Sequence, residues 1–439
     1  MVKTPLITRD ILLPFVLVTS LFALWGLAND ITNPMVSAFK KVLELSNTQA
    51  SWVQAAFYGG YFTMSLPAAY VLQRYTYKTG ILIGLGLYAA GALLFYPAAA
   101  MESYIFFLTA LYVLTFGLAF LETTANPLIL SLGPAETATQ RLNFSQAFNP
   151  VGALTGLFIA QTFILKSLQS DDLDTSGNSI YETLEPSAKA AVRSADLEAI
   201  RNPYVIIGLV ILVILIAMAK TKIPEQQQTS NEPTRMGASL RRLLKKEQCY
   251  GGFIAQLFYV GAQIMCWTYI YQYAERLNIS NAAAVNYAYA ALVLFMLGRF
   301  LFTSLMRRIN ARRLLLVLSF AAATFTLGTI FLPGMLGLYA LVLVSFCMSI
   351  MFPTIYGITL NQLGEDAKTA SALLVMAIVG GALMPVLQGL VLDLGGPDYD
   401  DTLILGVSEV QFSFVIPLLC FAVVGLYAYR SVKNPTFSS

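Results

Sequence analysis

Two carboxylates stand where the surrounding sequence is apolar. Asp30 lies in LANDITNPM (residues 27–35) and Glu122 in GLAFLETTANPLILSLGP (117–134). In both stretches an asparagine follows three or four residues on, and then a proline: Asp30, Asn33 and Pro34; Glu122, Asn126 and Pro127. At helical spacing Asn29, Asp30 and Asn33 share one flank, and so do Glu122, Thr123 and Asn126. Carboxyl groups among amides can hydrogen-bond a polyhydroxylated solute. In an apolar segment they can also bind and release a proton. A dedicated sodium site would want more oxygen ligands than the sequence places beside them. The chain has no histidine, so proton coupling would run through Asp30, Glu122 or both.

Further amides recur in apolar runs. Gln146 and Asn149 are three apart in FSQAFNPVG (144–152), with Pro150 after them. Gln256, Gln263 and Trp267 form one stripe in QLFYVGAQIMCW (256–267), and Asn286 and Tyr356 are weaker candidates. The bland alternative for any single amide is interhelical hydrogen bonding. Together, amides, a tryptophan, tyrosines and two carboxylates suit a sugar, whose hydroxyls need donors and acceptors and whose ring stacks on aromatic faces. A drug exporter would want a greasier cavity. An anion carrier would want buried cations, and Arg299 alone is available; its place near one end of its run fits a structural or gating role. An amino acid carrier is less easily excluded.

Helices long enough to cross a bilayer must position these groups. Hydrophobic residues make up 57% of the 439-residue chain and charged residues 12%, against roughly 25% charged in a soluble domain. A spanning helix needs about 20 apolar residues. Twelve such runs are expected, near 11–39, 50–72, 80–100, 103–131, 141–165, 203–222, 251–275, 282–306, 313–333, 335–360, 367–393 and 410–430. The first follows Lys3 and Arg9 but is too long for a signal peptide core, and it is read as retained. Residues 186–201 are read as a short surface helix. Residues 223–250 form a polar, then basic, linker between a bundle at 1–222 and a bundle at 251–439. Lysine and arginine concentrate after alternate runs, at Arg74 and Lys78, Arg241 to Lys246, and Arg307 to Arg313. That pattern puts both termini in the cytoplasm. Cys249, Cys266, Cys347 and Cys420 form no CxxC pair and are read as packing residues. No cofactor, metal or nucleic acid partner is expected. A membrane enzyme is disfavoured by the lack of histidine, of clustered acidic residues and of a sizeable soluble domain.

The basic hexamers QRYTYK (73–78) and RRINAR (307–312) occupy the same place in each half, a sign of a duplicated 6+6 protein. ALWGLANDITNP, AFYGGYF, GLAFLETTANP, GPAETATQRLNFSQAFNPVGA, YVGAQIMCWTYIYQYA, SIMFPTIYG and MAIVGGALMPVLQG together resemble the fucose–proton symporter family of the major facilitator superfamily. The resemblance covers nearly the whole chain. It implies an all-α fold of twelve transmembrane helices in two pseudo-symmetric bundles. It also implies import of L-fucose or a related hexose with a proton, in a bacterial inner membrane and as a monomer. Glucose, galactose and N-acetylglucosamine carriers belong to the same family, and an uncoupled uniporter is the mechanistic alternative. By position, Glu122 matches the family's proton-coupling or sugar-binding glutamate. Gln146 and Asn149 match cavity residues, and Gln263 with Trp267 matches the span-seven stripe. The first span departs from the pattern: the family's aspartate falls on Asn33, and the carboxylate stands one turn earlier at Asp30. Either the two groups have exchanged places, or Glu122 works alone.

Overall fold

A computed structural model describes residues 6–7, 11–32, 39, 42–45, 47–171, 180–222, 236–279, 281–392 and 403–434. Twelve long helical elements carry the fold. They are α1 Leu12–Thr32, α2 Asn47–Arg74, α3 Tyr77–Ala100, α4 Tyr104–Ser131, α5 Ala135–Ser167 and α6 Pro186–Lys220, then α7 Glu247–Arg276, α8 Asn281–Leu305, α9 Ala311–Phe331, α10 Met335–Leu360, α11 Gly364–Leu392 and α12 Glu409–Lys433. Among the described residues eleven helices are long and apolar enough to cross a membrane. The remaining one, α2, has the length, 28 residues, but a more polar sequence. It stands at the second expected span.

The expected short helix at 186–201 is not separate. It runs into the sixth span as one helix of 35 residues with Pro203 inside it. Proline removes one backbone donor. The apolar stripe nevertheless stays in phase across it, because Leu197, Ile200, Tyr204, Ile207 and Ile211 are all buried. Residues 223–235 of the expected linker, and Asn33, lie outside the described residues. The rest of the linker forms a short helix, Met236–Leu243. There Arg242 donates twice to Asp366 at the start of α11 (3.0 and 2.6 Å), and the Ser239 hydroxyl donates to the same carboxylate at 2.6 Å.

The chain folds as two compact units. One comprises Leu13–Ala125 and Val151–Glu225; the other comprises Met1–Leu12, Asn126–Pro150 and Gln226–Ser439.

In the first unit the helices meet through glycine. A Cβ at Gly152 on α5 would lie 1.8 Å from the carbonyl oxygen of Ala23 on α1, and one at Gly156 would lie 2.5 Å from that of Leu27. Small residues let helix backbones approach where lipid gives no hydrophobic drive. Tyr204 of α6 stacks on Phe95 of α3, with ring centroids 3.8 Å apart, and hydrogen-bonds Thr32 at 3.1 Å. Lys78 donates to the Ala219 carbonyl, joining the ends of α3 and α6.

The second unit repeats one of these close approaches. A Cβ at Gly380 on α11 would lie 2.1 Å from the Leu257 carbonyl oxygen on α7. The α1–α5 and α7–α11 pairs therefore use one device at corresponding places in the two halves, as duplication requires. Arg141, the first residue of the fifth expected run, is fully buried. Its guanidinium donates to the carbonyls of Ile129 (2.9 Å) and Leu130 (2.8 Å) in the last turn of α4, and to Pro134 (3.2 Å). A helix C-terminus leaves such carbonyls without partners and favours a cation there. Arg141 thus caps α4 and fixes the turn into α5.

The glycine approaches give a direct test. Gly152→Val drives a side chain into the α1 backbone, and overpacking of this kind costs about 1–3 kcal/mol or more. The expected result is a clear fall in the melting temperature of the detergent-purified protein. Gly237→Ala, with open space around its Cβ position, serves as the unaffected control.

Candidate functional site

In the first unit, α1 carries Asn29 and Asp30 on a half-exposed flank, with the Asn29 amide 3.4 Å from the Asp30 carboxylate. One turn earlier the Trp25 ring is buried edge-on against Phe22, and among the described residues its indole N–H has no hydrogen-bond partner. On α2, Tyr58 lies within electrostatic reach of Asp30, and Tyr61 within reach of both Tyr58 and Glu122. Glu122 is buried on α4, and its carboxyl group is hydrogen-bonded to the Tyr61 hydroxyl. Two tyrosines of a helix that contributed no candidate therefore lie near the two carboxylates, Tyr58 in the field of Asp30 and Tyr61 bonded to Glu122. AFYGGYF holds both, three residues apart and hence on one face. In an apolar run such rings read as packing, so the spacing of the two hydroxyls was the available signal.

In the second unit, the Gln146 amide donates to the Asn126 side-chain oxygen at 2.8 Å, with both residues buried. Asn149 lies one turn further on, half-exposed, beyond a break in α5 at residues 147–148. On α7, Gln263 and Trp267 are half-exposed. The Trp267 ring packs edge-on against Phe295, and its indole N–H donates to Ser345 at 3.2 Å. Gln256, on the same stripe, is wholly buried, and among the described residues neither polar atom of its amide has a partner. Asn286 is exposed. Tyr356 is fully buried, and its hydroxyl is engaged by Ser371 of α11, so it joins α10 to α11. Arg299, buried on α8, donates to main-chain carbonyls of Gln146 and Ser349. Among the described residues no cluster of histidine, cysteine or acidic groups could hold a metal ion.

The sequence profile of the Major Facilitator Superfamily matches residues 18–385. The chain belongs to this superfamily. It is a membrane transporter and not an enzyme. An L-fucose-proton symporter of Haemophilus influenzae is 49% identical over 425 residues, which cover 97% of this chain and 98% of that one. An L-fucose-proton symporter of Escherichia coli is 35% identical over 430 residues, covering 97% and 94%. A crystal structure of the Escherichia coli fucose:proton symporter superposes with a TM-score of 0.86 at 33% identity, over 97% of this chain and all of that one. The fold is thus the all-α facilitator fold of twelve transmembrane helices expected from the sequence.

The Asn126–Gln146 pair is open to measurement. Both groups are buried and bonded to each other, so truncating either one removes a buried hydrogen bond, worth about 0.5–1.5 kcal/mol net. In a double-mutant cycle of Asn126→Leu and Gln146→Leu, the expected coupling is about 1–2 kcal/mol of stability, read by thermal or denaturant unfolding. Strict additivity would mean the pair is not made.

Proposed function

We propose that this protein imports L-fucose, or a closely related hexose, together with a proton by alternating access. Its place is the inner membrane of a bacterium, with both termini cytoplasmic and the chain working as a monomer. The names of the two bacterial relatives support the solute and the coupling ion. The observation that carries the reading in this chain is the buried Glu122 carboxyl group hydrogen-bonded to Tyr61, with Asp30 beside Tyr58 in the same unit. A membrane carrier with no histidine needs a carboxyl group for protonic coupling, and of Asp30 and Glu122 it is Glu122 that is buried.

In this reading Glu122 takes up the proton that accompanies the sugar. Neutralising it removes the cost of carrying a charge through the cycle. Asp30 stands in for the family's aspartate at Asn33, one turn earlier in the sequence, with Tyr58 near it. The unpartnered Trp25 N–H, the Asn29 amide, and Asn126, Gln146, Asn149, Gln263 and Trp267 supply donors, acceptors and stacking surface for sugar hydroxyls and ring. The bundles 1–222 and 251–439 are the two bodies that rock in transport, joined by the linker at 223–250.

Proteoliposomes separate coupling from binding. Wild-type protein should accumulate L-fucose when an inward proton gradient is imposed, and L-fucose should outcompete glucose, galactose and N-acetylglucosamine. Glu122→Gln should abolish accumulation while leaving sugar exchange at equal pH. Asp30→Asn should weaken accumulation if the carboxylate has moved from the position of Asn33. Wild-type uptake that ignores the gradient would leave a facilitative uniporter instead.

Trp25→Phe removes only the indole N–H. Because that group has no partner among the described residues, thermal stability should hold within about 0.5 kcal/mol. The apparent Km for sugar should rise about tenfold, as expected for one lost hydrogen bond of roughly 1.4 kcal/mol.

A further inference from the structure

Arg299 is 3% exposed, and its guanidinium lies over the Phe295 ring, 4.5 Å from the centroid. Its Nε donates to the Ser349 carbonyl on α10, and its Nη1 donates to the Gln146 carbonyl on α5 at 2.7 Å. These acceptors share a property that the sequence explains. In an α-helix the carbonyl of residue i accepts from the N–H of residue i+4. For Gln146 that residue is Pro150, and for Ser349 it is Pro353. Proline has no N–H. One arginine therefore satisfies the two carbonyls that two prolines leave without a helical donor, and it does so in two different helices. Both helices break at these points, after Gln146 and after Met348.

Arg299 sits in a seam. Gln140 of α5 donates to the Thr303 carbonyl of α8 at 3.1 Å, and the Asn143 amide donates to the Thr354 hydroxyl of α10 at 3.2 Å. Gly357 of α10 leaves just enough room for Thr139, whose hydroxyl would lie 2.8 Å from a Cβ there. Thr139, Asn143 and Gln146 follow one face of α5. The seam therefore holds the first half of α5 against α8 and α10. Its last member, Gln146, also carries the amide bonded to Asn126.

We propose that Arg299 is the latch of this seam and a positioning residue for the Gln146–Asn126 amide pair. With the seam closed, the guanidinium spans the two proline-freed carbonyls and fixes the Gln146 backbone. Opening the seam, as alternating access demands of α5 relative to α8 and α10, requires Arg299 to release the Gln146 carbonyl. A carbonyl that already accepts from its own helical N–H has less to offer a second donor, so the hold would be weaker. The prolines make the latch possible, and the arginine keeps them from leaving bare acceptors in an apolar setting. This inference rests on the transport reading, but it does not depend on which sugar or ion is carried.

The test uses cysteine accessibility in the full-length purified protein, with no substrate present. The four native cysteines are buried, so background labelling by a polar maleimide is low. A cysteine at Thr139 reports opening of the seam. Arg299→Lys keeps a cation but loses the two-pronged fork. Pro150→Ala returns an N–H to the Gln146 carbonyl and leaves Arg299 untouched. Both should raise the labelling rate at position 139, by about tenfold for loss of one charge-assisted hydrogen bond; Pro150→Ala should retain or exceed the wild-type melting temperature, which separates opening of the seam from unfolding. A rise in both, with the sugar Km also shifted by Arg299→Lys through Gln146, supports the latch. Unchanged labelling in both variants overturns it. Failure of wild-type protein to move L-fucose would bear on the transport reading alone, since labelling is read without sugar.

Discussion

Inside a bilayer, a charge or a bare carbonyl must find its partner in the protein, because lipid offers none. The rest of this structure depends on how that constraint is met. Arg141 and Arg299 are both buried, and both are satisfied by main-chain carbonyls. Arg141 takes carbonyls that a helix end exposes, and Arg299 takes carbonyls that prolines expose. Glu122 meets the constraint differently, through a phenol, that of Tyr61. A guanidinium held by several fixed dipoles is a strut. A carboxyl group held by a hydroxyl that can donate or accept is able to exist in two protonation states.

That difference separates polar groups that tie helices together from those that keep a polar atom to spare. Tyr356 and Tyr273 also lie buried, but their hydroxyls bind Ser371 and the Thr329 carbonyl and tie neighbouring helices together. Asn126 and Gln146 bind each other, and Gln146 is held through its backbone as well. Among the described residues, the Trp25 indole and the Gln256 amide have no hydrogen-bond partner. Unpaired buried donors cost free energy, and a transported polyol is one partner that would offset it. The glycine approaches between α1 and α5, and between α7 and α11, fix the scaffold on which these groups sit.

Much of this was legible in the sequence, and for a physical reason. Twelve helices were readable because hydrocarbon thickness sets a length of apolar run that few other constraints produce. The amides at Asn126 and Gln146 were readable because such groups are costly in those runs. Other features were hidden. The basic side chain of Arg141 fits the rule for cytoplasmic loops, so nothing marked it as a buried cap. Pro203 reads as a helix end, yet the apolar face continues past it. Tyr58 and Tyr61 look like packing residues until their hydroxyls are placed beside Asp30 and Glu122. The role of Arg299 was half visible: Pro150 and Pro353 announce two bare carbonyls four residues earlier, but only the fold brings one guanidinium to both.

The central claim is that sugar binding and protonation of a carboxyl group at Glu122 are linked. The most direct measurement is proton exchange on adding L-fucose to the purified protein in weakly buffered detergent solution, followed with a pH indicator. The expected result is proton uptake by the wild-type protein, and sugar binding without proton uptake by Glu122→Gln. Saturating binding of L-fucose to the wild-type protein with no proton exchanged, at every pH where the protein is folded, would contradict it.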